Sequence, residues 1–256
     1  MNLAKEKKVL LSASKQAGKV ILKYFGKNKG IKEKSNKSLV SKADLEANKA
    51  VIKIIRENFP KHSILSEETG FENNNSDYKW VIDPIDGTHN FLRGIPIVGV
   101  SIALEYKNEV VLGLLEFPTL KLTAVAEKGK GAFLNGKRLR VSSNKEISHS
   151  FILYEFVPGT RHKVLEFLKR LSNEKINIRN FGSAVYELML MASGKCDAFI
   201  IFSTNEWDIA AGMLLIQEAG GKVTDIKGKE CGPANGSFIM SNGHIHGEIL
   251  RFLYDI

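Results

Sequence analysis

Four acidic positions in this 256-residue chain fall where an apolar run gives way to another element. They are Glu67 with Glu68 in LSEET (65–69), Asp83 and Asp86 in WVIDPIDGTHNF (80–91), and Asp208 in EWDIAAGMLLIQEAGG (206–221). Carboxylates this close to apolar segments are expected to be partly buried, and buried carboxylates that converge repel one another unless a cation neutralises them. The donors are oxygens, with no Cys or His cluster beside them, a set that suits Mg²⁺ better than Zn²⁺. In DPID, Pro84 stiffens a turn, so that Asp83 and Asp86 can face one site with the Ile85 carbonyl between them. Gly87 and Thr88 then offer backbone N–H groups suited to holding a phosphate.

Taken singly, each motif also has a structural use. DPIDG can be only a turn, Asp208 can cap the helix that follows it, and SEET can be solvated acid at a strand end. His89 and Trp207 read as an exposed residue and a packing residue.

The elements that must position these acids follow from periodicity and punctuation. Leu10, Ala13, Ala17, Val20, Ile21 and Tyr24 are spaced for a helix over 4–25 that stops at Gly26. The stretch 27–38 lacks periodicity and reads as a mobile basic loop. A second helix spans 43–58, HSILSEE is a short strand, and FENNNSD is a loop. From 80 to 141 the pattern is a strand meander, with Asn135-Gly136 as a two-residue hairpin signal. Strands and helices then alternate: a strand near 150, a helix at 161–171, the strand INIRNF, a helix at 183–193, the strand CDAFIIF, and the helix after Trp207. Two more strands and a closing helix complete the chain. This order suggests a layered α+β fold, one unit over 1–256 with lobes of roughly 1–145 and 146–256 sharing a cleft.

Charge is unevenly placed. The net charge is +9, and residues 1–40 alone contain eleven Lys and two Glu, so the remainder balances. Such a segment either attracts an anion, whether nucleic acid or a small phosphorylated substrate, or is a solvated helix face. No aromatics alternate with these lysines as a single-strand-binding surface requires. The two cysteines, Cys196 and Cys231, read as free thiols in a reducing compartment. The longest uncharged apolar stretch, GIPIVGVSIAL (94–104), is too short to span a membrane. Lys15 and Lys19 interrupt any signal-peptide core. The expectation is a cytoplasmic protein.

In their order and spacing, LSEET, WVIDPIDGTHNF and EWDIAAGMLLIQEAGG resemble the inositol monophosphatase family. The resemblance runs essentially end to end, through GKGAFLNGKRLRV (129–141) and FGSAVYELMLMASGKCDAF (181–199). It implies a Mg²⁺-dependent, lithium-sensitive phosphomonoesterase, usually a homodimer, with the αβαβα layers of the inositol monophosphatase and fructose-1,6-bisphosphatase type. By that resemblance Glu67, Asp83, the Ile85 carbonyl, Asp86 and Asp208 hold two or three Mg²⁺, with Glu68 behind them. Thr88, paired with Asp44 of LVSKAD, orients and activates the attacking water, and Glu67 shares in the catalysis. The amides of Gly87 and Thr88 cradle the phosphate beside Asp86 and Asp208, and Gly182, Ser183 and Ala184 line the alcohol side.

Two departures bear on the substrate and the metal count. Ser38 stands where the family often has Asp, and Ser41 replaces a Thr, which removes a carboxylate from the region of a third metal. Inositol-specific members place a Glu seven residues before the Asp of the Trp-Asp pair, where this chain has Ile201. An apolar side chain accepts no hydrogen bond from a ring hydroxyl, so discrimination among alcohols is expected to be relaxed. The implied substrate is inositol 1-phosphate or a similar polyol or sugar phosphate, with fructose 1,6-bisphosphate or 3'-phosphoadenosine 5'-phosphate as alternatives. A binding protein that uses the basic segment on RNA or a transcription complex would be marked by lost metal ligands, and here none is lost.

Overall fold

The structure, a computed structural model, describes residues 2–27, 32–33, 39–40, 42–157, 159–234 and 236–256. The first half holds helix α1 (Ala4–Tyr24), strands β1 (Lys32–Glu33) and β2 (Leu39–Val40), and helix α2 (Lys42–Asn58). Strands β3 (Ser63–Ser66), β4 (Gly70–Glu72) and β5 (Tyr78–Asp86) lead to the short helix α3 (Thr88–Leu92). The meander β6 (Gly99–Tyr106), β7 (Glu109–Phe117), β8 (Leu122–Glu127), β9 (Gly131–Leu134) and β10 (Lys137–Arg138) follows. The second half runs β11 (Phe151–Tyr154), α4 (Arg161–Leu171), β12 (Asn177–Arg179), α5 (Ala184–Ala192) and β13 (Ala198–Thr204). It ends with α6 (Glu206–Glu218), β14 (Lys222–Asp225), β15 (Gly236–Ser241) and α7 (His246–Leu253).

Two large sheets result. The first has the order β10-β9-β8-β7-β6-β5-β3-β4, antiparallel except where β3 runs parallel to β5. The second has the order β12-β11-β13-β15-β14, with β11 parallel to both of its neighbours. The central strands are apolar on both faces because each sheet is covered on both faces. On β5, Trp80 and Ile82 join α1 and α2 in one core, whereas Val81 points the other way into a second. On β13, Phe199 and Ile201 face that second core, and Ile200 and Phe202 face a third, closed by Val164 and Phe167 of α4 and Ile249 of α7. The period of two along each strand thus divides the chain into three cores and five layers: α1/α2, first sheet, α5/α6, second sheet, α4/α7.

Helix α6 lies in the middle layer, and its apolar residues 209–216 are all buried. It comes close to α5 at Gly212, where an added Cβ would lie 2.5 Å from Leu188 Cδ1. A helix packed on all sides positions its first turn rigidly, and Asp208 is on that turn.

The structure corrects three local expectations. DPID is no separate turn: β5 continues to Asp86 and shifts register against β6 between Asp83 and Asp86, a bulge at the one residue, Pro84, that has no N–H for the ladder. Within FENNNSD, Phe71 and Glu72 belong to β4, which pairs with β3. Within the stretch read as a basic loop, β1 pairs antiparallel with β2; most of that stretch, including Ser38 and Ser41, lies outside the described residues. The Asn135-Gly136 hairpin forms as expected, with both residues at positive φ (47° and 79°) joining β9 to β10.

Candidate active site

The bulge in β5 delivers two acids to one place. Asp83 Oδ1 accepts from the Ile85 N–H at 3.0 Å, which closes a local turn and leaves Asp83 and Ile85 both buried. Asp86, past the bulge, accepts from the Ser183 hydroxyl and from the Val185 N–H at 3.4 Å, so the N-terminus of α5 fixes its carboxylate. Asp208 arrives from α6. Its Oδ2 accepts from the Asn205 N–H at 3.0 Å and the Thr204 hydroxyl at 2.9 Å. The helix-capping role and the site role therefore coexist in one side chain, because the named bonds all fall on one oxygen.

One carboxylate oxygen from each of Asp83, Asp86 and Asp208 lies within 4.8 Å of the others. Glu67, just past β3, hydrogen-bonds Asp83. Burial pushes the Asp83 carboxyl well above the usual range, and the charges of Glu67, Asp86 and Asp208 push it further. Asp86 is also pushed well above by burial, against the Ser183 bond, which lowers it, and Asp208 is pushed up to about 6, again chiefly by burial. Among the described residues no Lys or Arg pairs with these three acids. Clustered carboxylates whose ionised forms are disfavoured by burial and mutual repulsion fit a small hard divalent cation, which would relieve both.

A cleft of about 290 Å³ opens beside the cluster, lined by Glu67, Asp86, Gly87, Thr88 and Asp208 together with Gly182, Ser183 and Ala184. Gly87 sits at φ +80°, and a Cβ there would come within 2.8 Å of the Ile97 carbonyl oxygen, so conformation and space both require glycine. Of the sequence-derived residues, these eight line the cleft, Asp83 joins them through the acid cluster, and Asp44, Glu68 and Ile85 are not in the lining. The Thr88 hydroxyl donates to the Ile85 carbonyl at 3.3 Å, and the pairing with Asp44 expected from the resemblance is not made; Asp44 is buried on the first turn of α2, bonded elsewhere. His89 is exposed at the cleft rim, and Trp207 packs against the central core.

Of the wall supplied by the second sheet, sequence reasoning singled out Ile201 and missed Glu155, Val157 and Ser203. Glu155 ends the apolar run FILY as acid, the same pattern that singled out Glu67 and Asp83, and its partner Glu187 is the one charge in the buried helix AVYELMLMA. Both signals were present in the sequence.

The family model described as "Inositol monophosphatase family" matches residues 2–256. The chain belongs to the inositol monophosphatase family. Within it, a curated relative from Thermotoga maritima, named fructose-1,6-bisphosphatase/inositol-1-monophosphatase, is 37% identical over 246 residues, spanning 94% of this chain and 93% of that protein. A Pseudomonas aeruginosa relative named Nus factor SuhB is 35% identical over 245 residues, 91% of this chain and 90% of that protein. Among solved structures, the extragenic suppressor protein suhB of Bartonella henselae superposes with a TM-score of 0.93 at 32% identity, covering 98% of this chain and 99% of that one. Inositol monophosphatase family proteins are metal-dependent phosphatases of small phosphorylated substrates, and the acid cluster described above is a place in this chain where a metal could be held. No helix among the described residues is long and apolar enough to cross a membrane.

Proposed function

We propose that the cleft hydrolyses a small phosphomonoester with Mg²⁺, inositol 1-phosphate or a similar polyol or sugar phosphate being the substrate. The observation that carries this is the convergence of Asp83, Asp86 and Asp208 within 4.8 Å at the floor of a cleft, with no cation from the described residues to balance them. Asp83, Asp86, Asp208, Glu67 and the Ile85 carbonyl would hold the metal, in two or three sites. Bound there, Mg²⁺ neutralises phosphate charge and lowers the pKa of water. The chain's own part is positional. The Gly87 and Thr88 amides face the phosphate, Thr88 orients the water once its hydroxyl turns from the Ile85 carbonyl toward Asp44, Ser183 aims Asp86, and Gly182 to Ala184 border the alcohol. We take the whole chain as one catalytic unit divided near residue 145, acting as a cytoplasmic homodimer.

A phosphate-release panel over inositol 1-phosphate, fructose 1,6-bisphosphate and 3'-phosphoadenosine 5'-phosphate, with and without Mg²⁺, tests this reading. Mg²⁺-dependent release from at least one supports it, and no release from any of them defeats it. The relatives named Nus factor SuhB bring a second reading, association with a transcription complex through the basic N-terminal segment. Its test is RNA binding that survives loss of the acid cluster.

A further inference from the structure

A phosphomonoester has two ends; the residues above account for the phosphate, and for the alcohol only the border formed by Gly182 to Ala184. The second sheet builds a further wall of the same cleft. There Glu155 stands directly after β11, and its N–H donates to the Ile200 carbonyl at 3.2 Å, which places it beside Ile201 of β13. Asn180 grips it: the Asn180 amide donates to Glu155 Oε2 at 3.2 Å and to the Tyr154 carbonyl at 2.7 Å. Behind it stands Glu187, fully buried, whose Oε1 accepts from the Phe181 N–H at 2.6 Å. Glu155 Oε1 and Glu187 Oε2 are both buried without a protein donor, and the two carboxyls influence each other's ionisation, so a single proton held between them would satisfy both.

The remaining acceptor capacity of the carboxyl lies on Oε2, whose partner is the Asn180 amide and which has a lone pair left for a ligand. Burial raises the Glu155 carboxyl above its usual range, and no lysine or arginine among the described residues pairs with it. The neighbouring strand is also irregular where it lines the cleft: β13 shifts register between Ile201 and Thr204, and Ser203 takes φ +65°, a strained conformation for a residue that is not glycine. Glu155 thus presents a carboxyl, pinned from two sides, to a cleft wall where Val157 and Ile201 offer no polar side-chain atom.

Building on the phosphomonoesterase reading, we propose that Glu155 reads the alcohol end of the substrate: it accepts a hydrogen bond from a free hydroxyl of a polyol phosphate, and Asn180 and Glu187 position it to do so. Ester groups without a free hydroxyl gain nothing from it. The residue is a determinant of specificity and plays no part in holding the metal.

The test compares inositol 1-phosphate with 4-nitrophenyl phosphate on the Mg²⁺-loaded wild type, Glu155→Ala and Glu155→Gln. For inositol 1-phosphate, Glu155→Ala is expected to lose about 10- to 100-fold in kcat/KM, mainly through KM, with a smaller loss in Glu155→Gln, which keeps an acceptor. For 4-nitrophenyl phosphate both variants stay within about threefold of wild type. Equal loss on the two substrates, or no loss on either, overturns the proposal. A second readout needs no turnover: saturation-transfer NMR of free inositol with Mg²⁺ and inorganic phosphate present. Its signal is expected to disappear in Glu155→Ala, and an unchanged signal overturns the assignment. A wild type inactive on both esters defeats the phosphatase reading itself, while the inositol signal still judges Glu155.

Discussion

Two sets of buried and half-buried acids meet at the N-terminal end of α6, and they are neutralised differently. Glu206, on the first turn, shares Lys79 with the buried Glu105 of β6, at 2.6 and 2.9 Å. Asp208, two residues on, sits with Asp83 and Asp86 and receives no cation from the described residues. In the first set the lysine is built in. Its ammonium is held above its usual pKa by the two glutamates, against the opposing effect of burial. Burial pushes Glu105 up to about 7 even so, with Lys79 pulling the other way. The contrast between the two sets is one of use: a structural ion pair fills its own need, whereas a site leaves the need for a ligand to meet.

The sharpest way to break the contrast is to remove one acid from the unfilled set. Asp83→Asn, Asp86→Asn and Asp208→Asn are each expected to lower Mg²⁺-dependent phosphate release by at least about a thousandfold, roughly 4 kcal/mol of transition-state stabilisation. Their metal-free melting temperatures should equal or exceed that of wild type, since a repelling charge has gone. Mg²⁺ at about 100 times its dissociation constant should stabilise wild type by about 2.7 kcal/mol and the variants by far less. Full activity in any one variant would remove that residue from the ligand set.

The filled set should answer in the opposite way. Lys79→Met strands the two glutamates, and loss of one partner from such a buried network is expected to destabilise the fold by about 3 kcal/mol. Urea unfolding would show it as a lower midpoint at unchanged slope. Any activity lost should return as the temperature is lowered, because no cleft residue has changed. A Lys79→Met protein as stable as wild type, yet inactive, would mean that the lysine serves catalysis and that the contrast is false.

Much of this was legible in the chain, because strand and helix periodicity are local. The acids that mark Glu67, Asp83 and Asp86 end their runs visibly, and the helix after Trp207 is apolar all round because both of its sides are covered. The bulge at Pro84 was misread as a turn, since a missing N–H interrupts a ladder in either case and only the partner strand β6 distinguishes them. Glu155 ends its run as visibly, but its place in the cleft was not legible, for a different reason. Its approach to Asp86 depends on β11 pairing in parallel with β13, across a helix, a strand and another helix, and no spacing rule reports that. Lys79 was passed over because its partners come from β6 and α6, remote in sequence.

A third answer to buried charge is to carry none. His246, buried at the start of α7, has Thr224 Oγ1 at 2.9 Å from Nε2 and Ser241 Oγ at 2.8 Å from Nδ1. The Thr224 hydroxyl already donates to the Asp225 carbonyl at 2.8 Å, so it accepts from Nε2–H, which in the neutral ring leaves Nδ1 to accept from the Ser241 hydroxyl. Burial, helped by Lys222, lowers its pKa from 6.5 to about 4. The unfolded chain therefore takes up the proton first. The stabilisation is complete above pH 6.5 and fades as pH falls toward 4, by up to about 3 kcal/mol. Metal-free wild type compared with His246→Gln should show it: the variant is less stable at pH 7, and the difference narrows by pH 4.5. A difference independent of pH would show that the histidine titrates alike in both states.

The smallest effect expected concerns the lysines of the basic N-terminal segment. The +9 charge belongs to residues 1–40, and of the stretch 27–38 only Lys27 is described with its side chain. If this segment draws phosphorylated substrate toward the cleft, changing Lys27, Lys29, Lys32, Lys34 and Lys37 to Gln should lower kcat/KM about three- to tenfold at low salt. The gap should close toward 1 M salt, where the Debye length has fallen to about 3 Å from about 10 Å at 0.1 M. The rate at saturating substrate should hold, because the acid cluster, Thr88 and Glu155 are untouched. A loss that persists at 1 M would place one of these lysines in contact with bound substrate, making it part of the site. No loss at any salt would leave the segment a solvated surface, and the acids of the cleft would then depend for their cations on the metal alone.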